Sequence, residues 1–532
     1  MLRGNSADTE MTLLDTDCVD MDPAPIKPWR GVWPATTLGS VCLQYLPYDK
    51  IEGSTTPTIR GDEDCLYLNV YSPMLPAGGS APLLDVIVNI HAGAFMFGSG
   101  SETGPKYLLD EDVILVTFNY RLGPLGFLTT EDEVVPGNMG LKDQTAALLW
   151  VQRNIASFGG NPGSVTITGQ AAGGASVHFH YLSPLSHGLF QRGISQSGTA
   201  LCPWTQMENG RGKATKLAQE LGCNTQTSRE LVDCLRHRPA KMIVEKVTIF
   251  EEWENMPFSP FGATVEVAGA VPFLNRQPID ILLDRNVQDL PWMTTVARRE
   301  GLYPTAAWIT REDILNEIQN RFSDVAPLIL DYNYTVSEKQ KLAVAQSIHQ
   351  FYLQGKTIST DTTRNIIEMA GDRHFVVEIE RAARIQAAVN SAPVYVYQFG
   401  YRGKHSLSEF LSGTNTDFGA AHIDDAAFVL QLHYHITDET QQDKDMSKVL
   451  VDIWSSFSRN GNPNPGAWNF TWEPVTPNSA ELAYLYIANS SHFEMRSSLD
   501  LGHREFWDSL PINEPQINVN VHNIKQSIRE EL

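Results

Sequence analysis

The sequence predicts an α/β fold built on a large, mostly parallel central sheet with helices on both faces. Short runs of β-branched and apolar residues without polar alternation are typical of strands that are buried on both faces. Such runs occur at residues 85–91, 113–118, 165–168 and 394–399. Segments of helical periodicity separate the runs, and strands that alternate with helices form parallel sheets covered on both sides.

One helix is predicted between Gly140 and Gly159, directly before the third of these strands. Its apolar residues recur at helical spacing, so one face of the helix is expected to pack on the sheet. These residues are Leu141, Leu148, Val151, Ile155 and Phe158. The pair Gly159-Gly160 is expected to end the helix. Small residues at 171–176 follow the strand at 165–168 and predict a sharp turn into another helix.

Composition excludes several classes of function. The 532 residues include 40 Lys and Arg against 62 Asp and Glu, which gives a formal net charge of −22. Such a charge repels the nucleic-acid backbone and anionic lipid, so we expect no nucleic-acid partner. No uninterrupted apolar run reaches the ~18 residues that a membrane-spanning helix needs, and no transmembrane segment is predicted.

The chain is expected to comprise an acidic leader, residues 1–22, and a single domain, residues 23–532. The leader carries six acidic side chains and no apolar stretch, so we do not expect it to be a secretory signal. Three Asn-x-Ser/Thr sequons, at Asn333, Asn469 and Asn489, instead favour a secreted glycoprotein, although such triplets also arise by chance. The two indications conflict.

The segment at 168–175 (TGQAAGGA) has the form of a nucleophile elbow, G-x-S-x-G, with Ala171 in the place of the serine. In that motif a strand turns sharply into a helix and presents one side chain at the top of the sheet. Gly169 and Gly173 keep the small residues that such a turn requires. A phosphate-binding loop is the alternative for a glycine-rich turn, but the Lys-Ser/Thr of that motif is absent.

Five further motifs accompany the elbow. They are 63–70 (EDCLYLNV), 119–127 (NYRLGPLGF), 137–144 (GNMGLKDQ), 158–162 (FGGNP) and 195–198 (SQSG). With them the chain resembles the type B carboxylesterase/cholinesterase family, most of all the insect esterases, from about Pro23 to Trp507. The resemblance implies the α/β-hydrolase fold and serine-esterase ancestry. We expect no metal ion and no cofactor.

The resemblance also implies the partners of the nucleophile. The family's acid corresponds to Glu300 and its base to His422, in the order nucleophile, acid, base. Without the motif, Glu300 would be interpreted as a solvated surface charge and His422 as an ordinary partly buried histidine. No nearby hydroxyl replaces the missing one, because Ser176 lies more than a helical turn beyond Ala171 and Ser197 belongs to the SQSG motif.

The oxyanion hole implied by the resemblance consists of the backbone N–H groups of Gly93, Ala94 and Ala172. Ala92 stands where the family usually has the first glycine of its H-G-G motif. If that position requires a positive φ, the alanine costs about 1 kcal/mol or more and the donors shift.

Two disulfides, Cys42–Cys65 and Cys223–Cys234, are implied by the family, with buried free thiols as the alternative in a reducing compartment. Cys18 and Cys202 have no assigned role. The resemblance, the disulfides and the sequons together favour an extracellular protein. The loop between Cys42 and Cys65 contains no tryptophan to stack on a cation, so choline specificity is not expected.

Three functions remain open from the sequence. The first is a catalytically impaired homologue, a pseudo-esterase, that acts in binding or adhesion with a protein partner. The second is a sink that holds a small apolar ester or lipid ligand without converting it. The third is a true carboxylic ester hydrolase with an unrecognised nucleophile. A methyl group at position 171 cannot form an acyl-enzyme, and this favours the first two.

Overall fold

The computed structural model describes residues 22–24, 30–32, 34–48, 57–74, 82–269, 271–432, 439–466 and 468–517. Except for Asp22, the predicted leader at 1–22 lies outside this part of the chain, and so does Cys18.

A nine-stranded sheet forms the centre of the described structure. Its strands in chain order are β1 Leu68–Tyr71, β2 Leu84–Ile90, β3 Val113–Phe118, β4 Gly160–Gln170, β5 Arg192–Gln196, β6 Trp292–Ala297, β7 Val394–Phe399, β8 Leu482–Asn489 and β9 His492–Ser498. The order across the sheet is β9-β8-β7-β6-β5-β4-β2-β3-β1. Strands β2 to β8 run parallel, whereas β1 and β9 pair antiparallel at the two edges. The predicted large, mostly parallel sheet is confirmed.

Fifteen α-helices lie within the described residues. They are α1 Gly123–Phe127, α2 Met139–Asn154, α3 Ala172–Leu182, α4 Gly210–Glu220, α5 Ser228–Arg236, α6 Ala240–Glu245, α7 Pro278–Leu283, α8 Leu302–Thr305, α9 Glu312–Ile329, α10 Glu338–Leu353, α11 Thr363–Gly371, α12 Val377–Val389, α13 Leu407–Ser412, α14 Gln441–Asn460 and α15 Arg504–Asp508. A π-helical turn, Asp372–Val376, joins α11 to α12. Among these helices, none is both long and apolar enough to cross a membrane.

The central strands are buried on both faces, which explains why their sequences do not alternate. On β2, Val86 and Val88 face a core that includes residues of α2, α3 and α12. The residue between them, Ile87, belongs to a second core with residues of α14. Helices therefore cover both faces, as the continuous apolar runs predict.

The boundaries around β4 differ from the prediction. Helix α2 ends at Asn154, a 3₁₀ turn spans Ile155–Phe158, and Gly159 then reverses the chain with a φ of +87°. The strand begins at once and runs over Gly160–Gln170, well beyond the predicted 165–168. Its polar first half lacks strand periodicity, and pairing with the neighbouring strand β2 extends it beyond the apolar run.

Both disulfides implied by the resemblance are present. Cys42 is bonded to Cys65, and Cys223 to Cys234, across 23 and 11 residues of sequence respectively. Cys202 is a free and fully buried thiol. Each bond closes a loop, and such closure restricts the unfolded chain more when the loop is longer.

Removing either disulfide with paired Cys→Ser substitutions should lower the free energy of unfolding by about 3 kcal/mol, because the unfolded chain regains loop entropy. The Cys42→Ser/Cys65→Ser variant should lose slightly more than Cys223→Ser/Cys234→Ser. Urea unfolding of the oxidised proteins measures both losses. Equal stability of the parent and the Cys42→Ser/Cys65→Ser variant would contradict the prediction.

Candidate active site

A single residue, Ala171, joins the end of β4 to the start of α3. Its backbone has a φ of +50° and a ψ of −113°, a conformation that residues with a side chain rarely adopt. The Ala171 N–H donates to the carbonyl oxygen of Gln196 at 2.9 Å, which ties the turn to β5. The turn is therefore a strained elbow with a methyl group at its apex.

Close backbone packing explains the glycines around the elbow. A Cβ atom on Gly169 would lie 2.3 Å from the carbonyl carbon of Gly173. A Cβ atom on Gly173 would lie 2.0 Å from the carbonyl oxygen of Ile90, at the end of β2. No side chain fits at either position, so α3 can start this close to the sheet only with glycine.

Glu300 and His422 come together from loops that follow different strands. An isolated bridge between Arg299 and Ala421 aligns the two loops, and Nδ1 of His422 lies 2.6 Å from Oε2 of Glu300. Oε1 of Glu300 accepts hydrogen bonds from Oγ of Ser197 at 2.7 Å and from the N–H of Ala297 at 2.6 Å. Both members of the pair are buried, so Glu300 is not a surface charge.

Aromatic rings hold the imidazole of His422. The ring of Tyr303 stacks on it with 5.3 Å between centroids, and the ring of Phe375 lies at 4.3 Å. Phe375 comes from the π-helical turn before α12. With Glu300 on Nδ1, these contacts hold the imidazole of His422 in one orientation, as a general base at this position would require.

The amide groups predicted for the oxyanion hole lie at two backbone turns. The N–H groups of Gly93, Ala94 and Ala172 donate to no acceptor within the described part of the chain. The condition stated for Ala92, a positive φ, is not met. The positive φ angles fall on Gly93 (+113°), Ala94 (+54°) and Phe95 (+61°), and not on Ala92. The strain of non-glycine residues is therefore carried by Ala94, one of the donors itself, and by Phe95.

A cavity of about 460 Å³ opens above the elbow. Ala171, His422, Gly93 and Ala94 line it together. Its wall contains seven Phe, Tyr and Trp side chains, which are Tyr48, Phe97, Trp204, Phe258, Tyr303, Phe375 and Phe410. An ion pair between Arg60 and Glu102 supplies the charge in the wall. The volume and lining are those of a site for a small apolar ligand.

Other nucleophilic side chains near the elbow already have different partners. Oγ of Ser176 donates to the carbonyl of Ala172 at 2.8 Å, and Oγ of Ser197 donates to Glu300. Burial raises the pKa of the Cys202 thiol to about 12, which keeps it protonated. Among the described residues, His422 has no hydrogen-bond partner other than Glu300.

One group of potential metal ligands occurs in the described structure, formed by Glu368, Asp372 and His503. Oδ2 of Asp372 accepts from the hydroxyl of Tyr352 at 2.8 Å and lies 2.7 Å from Nδ1 of His503. The polar atoms of Tyr352, Asp372 and His503 therefore satisfy one another. Glu368, Asp372 and His503 are not among the residues that line the cavity above the elbow.

A protein-family model described as the carboxylesterase family matches residues 21–507. The chain belongs to the carboxylesterase family. Venom carboxylesterase-6 of Apis mellifera is 43% identical over 498 residues, which cover 93% of this chain and 88% of the relative. Esterase FE4 of Myzus persicae is 44% identical over 481 residues, which cover 89% and 83%.

Juvenile hormone esterases are also similar to this carboxylesterase-family chain. The protein of that name from Tribolium castaneum is 34% identical over 515 residues, covering 91% of this chain and 86% of the relative. The crystal structure of juvenile hormone esterase from Manduca sexta, with OTFP covalently attached, superposes with a TM-score of 0.77 at 27% identity and covers 99% of this chain and 94% of that one. The resemblance to insect esterases and the α/β-hydrolase fold are confirmed.

The contacts that three residues make in this carboxylesterase-family site were not predicted from the sequence. Ser197 lies in the SQSG motif, but nothing in the motif identifies Glu300 as its partner. Tyr303 and Phe375 lie 119 and 47 positions before His422 in the sequence, and no local pattern indicates their contact with the imidazole.

The variant Ala171→Gly should be more stable than the parent by about 1 kcal/mol, because glycine relieves the strain of the positive φ at a smaller entropic cost. Ala175→Gly, four residues on in regular helix α3, is the matched control and should lose about 1 kcal/mol or more. Urea unfolding measures both changes. If Ala171→Gly loses as much stability as the control, the claim that the backbone of Ala171 is strained is contradicted.

Stability should also fall in acid through His91, whose ring stacks on Tyr120 with 4.3 Å between centroids. Burial lowers the pKa of His91 to about 4, below the ordinary value near 6.5. Protonation therefore favours the unfolded state, and the contribution of neutral His91, complete above pH 6.5, is lost as the pH falls towards 4.

The His91→Gln variant should accordingly show a flatter dependence of unfolding free energy on pH between 6.5 and 4, by up to about 1.4 kcal/mol per pH unit. Buried His178 and His180, whose pKa values burial lowers to about 3, leave a residual slope. His237→Gln, at an exposed position, is the control. Identical slopes for His91→Gln and the parent would refute the assignment.

Proposed function

We propose that this carboxylesterase-family chain is a catalytically impaired homologue that binds a small apolar ester or lipid ligand without hydrolysing it. One observation carries the proposal, namely that the methyl group of Ala171 lines the same cavity as the base His422. The acid, the base and the amide donors accompany a side chain that cannot attack a carbonyl.

The alternative, an ester hydrolase with another nucleophile, lacks a candidate side chain. Ser99 and Thr103 are the serine and threonine among the residues that line the cavity. Oγ of Ser99 donates to Oδ1 of Asn119 at 3.1 Å, and neither hydroxyl is hydrogen-bonded to His422 or Glu300 in the described structure. The pairing that activates a nucleophile is therefore missing for both.

The cavity favours ligand storage or transport over adhesion. Its aromatic wall and its volume suit a ligand that buries most of its surface. Two relatives are named juvenile hormone esterase, and an ester in an apolar cavity is the ligand class proposed here. Recognition by a protein partner would use the outer surface and would leave this cavity without a role.

We also propose that the protein acts outside the cell. Its two disulfides are typical of oxidising compartments. The sequon residues Asn469 and Asn489 are exposed, and Asn333 is partly exposed, so a glycan could be attached to each. Mass spectrometry of the protein from its natural source would identify these glycans.

The variant Ala171→Ser should acquire ester hydrolysis that organophosphates inhibit, because Glu300 and His422 already form the required pair. Loss of such a serine typically lowers kcat by about 10⁶-fold, so we expect a gain of at least about 10³-fold over the parent. A chromogenic short-chain ester measures turnover, and a fluorophosphonate probe followed by peptide mapping identifies the labelled residue.

Ala171→Ser/His422→Gln is the matched control and should remain unlabelled and inactive. Equilibrium dialysis with a long-chain ester should show saturable binding to the parent protein, with the ester recovered intact. Labelling of the parent, or hydrolysis of the bound ester, would overturn the proposal. Saturable binding without gain of activity in Ala171→Ser would leave ligand binding intact but contradict the alignment of the catalytic groups.

A further inference from the structure

A second cavity, of about 680 Å³, opens at the carboxyl ends of β6, β7 and β8. Four arginines line it, namely Arg298, Arg299, Arg364 and Arg402, and we refer to it as the arginine cavity. It shares no lining residue with the cavity above the elbow. Four guanidinium groups around one concave surface are unexpected in a protein with a net charge of −22.

None of the four arginines forms an ion pair with a carboxylate of the described residues. Arg298 donates from one terminal NH₂ group to the hydroxyl of Tyr486 at 2.9 Å. Arg402 donates to the carbonyl oxygens of Gly403 and Lys404 and to Oδ1 of Asn415, and its Nε–H is buried without a partner in the described structure. The guanidinium groups therefore keep hydrogen-bonding capacity for another acceptor.

Several buried arginines elsewhere in the protein form ion pairs with carboxylates. Buried Arg121 forms hydrogen bonds with both carboxylate oxygens of Asp143 at 2.7 Å, and other buried arginines pair in the same way. These further ion pairs are Arg373–Glu514, Arg381–Asp508 and Arg384–Glu380. In the arginine cavity Arg299 and Arg402 are partly buried, whereas Arg298 and Arg364 are exposed. A carboxylate is the usual partner of a buried guanidinium, and neither of the two partly buried arginines has one in the described structure. Their charge is therefore left for an external anion.

The charge inside the arginine cavity is positive. Two carboxylates, Asp361 and Asp417, line it beside the four guanidinium groups. Oδ1 of Asp417 accepts a hydrogen bond from the N–H of Gly419 at 2.9 Å, within its own loop. Arg364 lies in the first turn of α11, where the helix dipole adds further positive potential. A concave surface of this kind concentrates anions despite the overall negative charge.

We propose that the arginine cavity binds a small, multiply charged oxyanion, such as the phosphate or sulfate group of a soluble ester. The planar guanidinium matches the geometry of phosphate and sulfate oxygens with paired hydrogen bonds. The overall charge of −22 repels an anionic membrane surface, so a soluble ligand fits better than a lipid headgroup. This site is independent of the proposed ester binding.

The binding site lies directly behind the acid and base. Arg299 precedes Glu300, and its N–H donates to the carbonyl oxygen of Ala420 at 2.9 Å, two residues before His422. The loops that carry the acid and base therefore also form the wall of the arginine cavity. The ligand would contact one side of these loops, while the elbow cavity lies on the other.

Isothermal titration calorimetry with inorganic phosphate and with sulfate, at constant ionic strength in chloride, tests the proposal on the full chain. We expect saturable binding of both anions to the parent protein. The variant Arg364→Gln/Arg402→Gln should bind at least about tenfold more weakly, because it loses two charge-assisted contacts. Thermal unfolding in chloride establishes that this variant is folded.

Arg229→Gln, on the exposed surface of α5, is the matched control and should bind like the parent. If the double variant does not fold, Arg364→Gln alone, at an exposed helical position, is used in its place. Sedimentation with phosphatidylcholine vesicles, with and without phosphatidic acid, distinguishes a lipid headgroup from a soluble ester. Arginine-dependent binding in either arm supports the site. The proposal is overturned if neither the calorimetry nor the vesicle sedimentation shows saturable binding. It is also overturned if the arginine variant and the parent bind equally.

Discussion

The close approach of α3 to the end of β2 is the constraint on which the rest of the site depends. The start of the helix lies so near the carbonyl of Ile90 that a Cβ atom on Gly173 would lie 2.0 Å from it. The chain can pass from β4 to α3 only through one residue with a positive φ, which is Ala171. Backbone packing therefore builds the elbow, and the elbow persists without the hydroxyl group that it presents in esterases.

Burial of Glu300 shows how the pair of Glu300 and His422 is maintained beside an alanine at position 171. A buried carboxylate is costly unless hydrogen bonds compensate for the lost water. Glu300 obtains them from His422, Ser197 and the N–H of Ala297. The carboxylate is therefore satisfied within the protein and does not require a serine at position 171.

The two cavities differ in chemistry although neighbouring residues build them. After β6, Arg298 and Arg299 line the arginine cavity, while Glu300 points to His422. One cavity has an aromatic wall, and the other has guanidinium groups without carboxylate partners in the described structure. Neighbouring residues of one loop at the carboxyl ends of the strands point in different directions, so one sheet carries two cavities of different polarity.

The sequence by itself determined the buried strands and the turn at Ala171, because periodicity and motifs reflect local burial and turn geometry. Glu300 and His422 were singled out only by the family resemblance. Only the tertiary structure placed the strained alanine at 94 and not at 92, extended β4 to Gly160, and brought His422 against Glu300 across 122 positions. It also gathered arginines from separate segments into one cavity. Backbone angles and charge proximity depend on packing between distant segments, which no local pattern encodes.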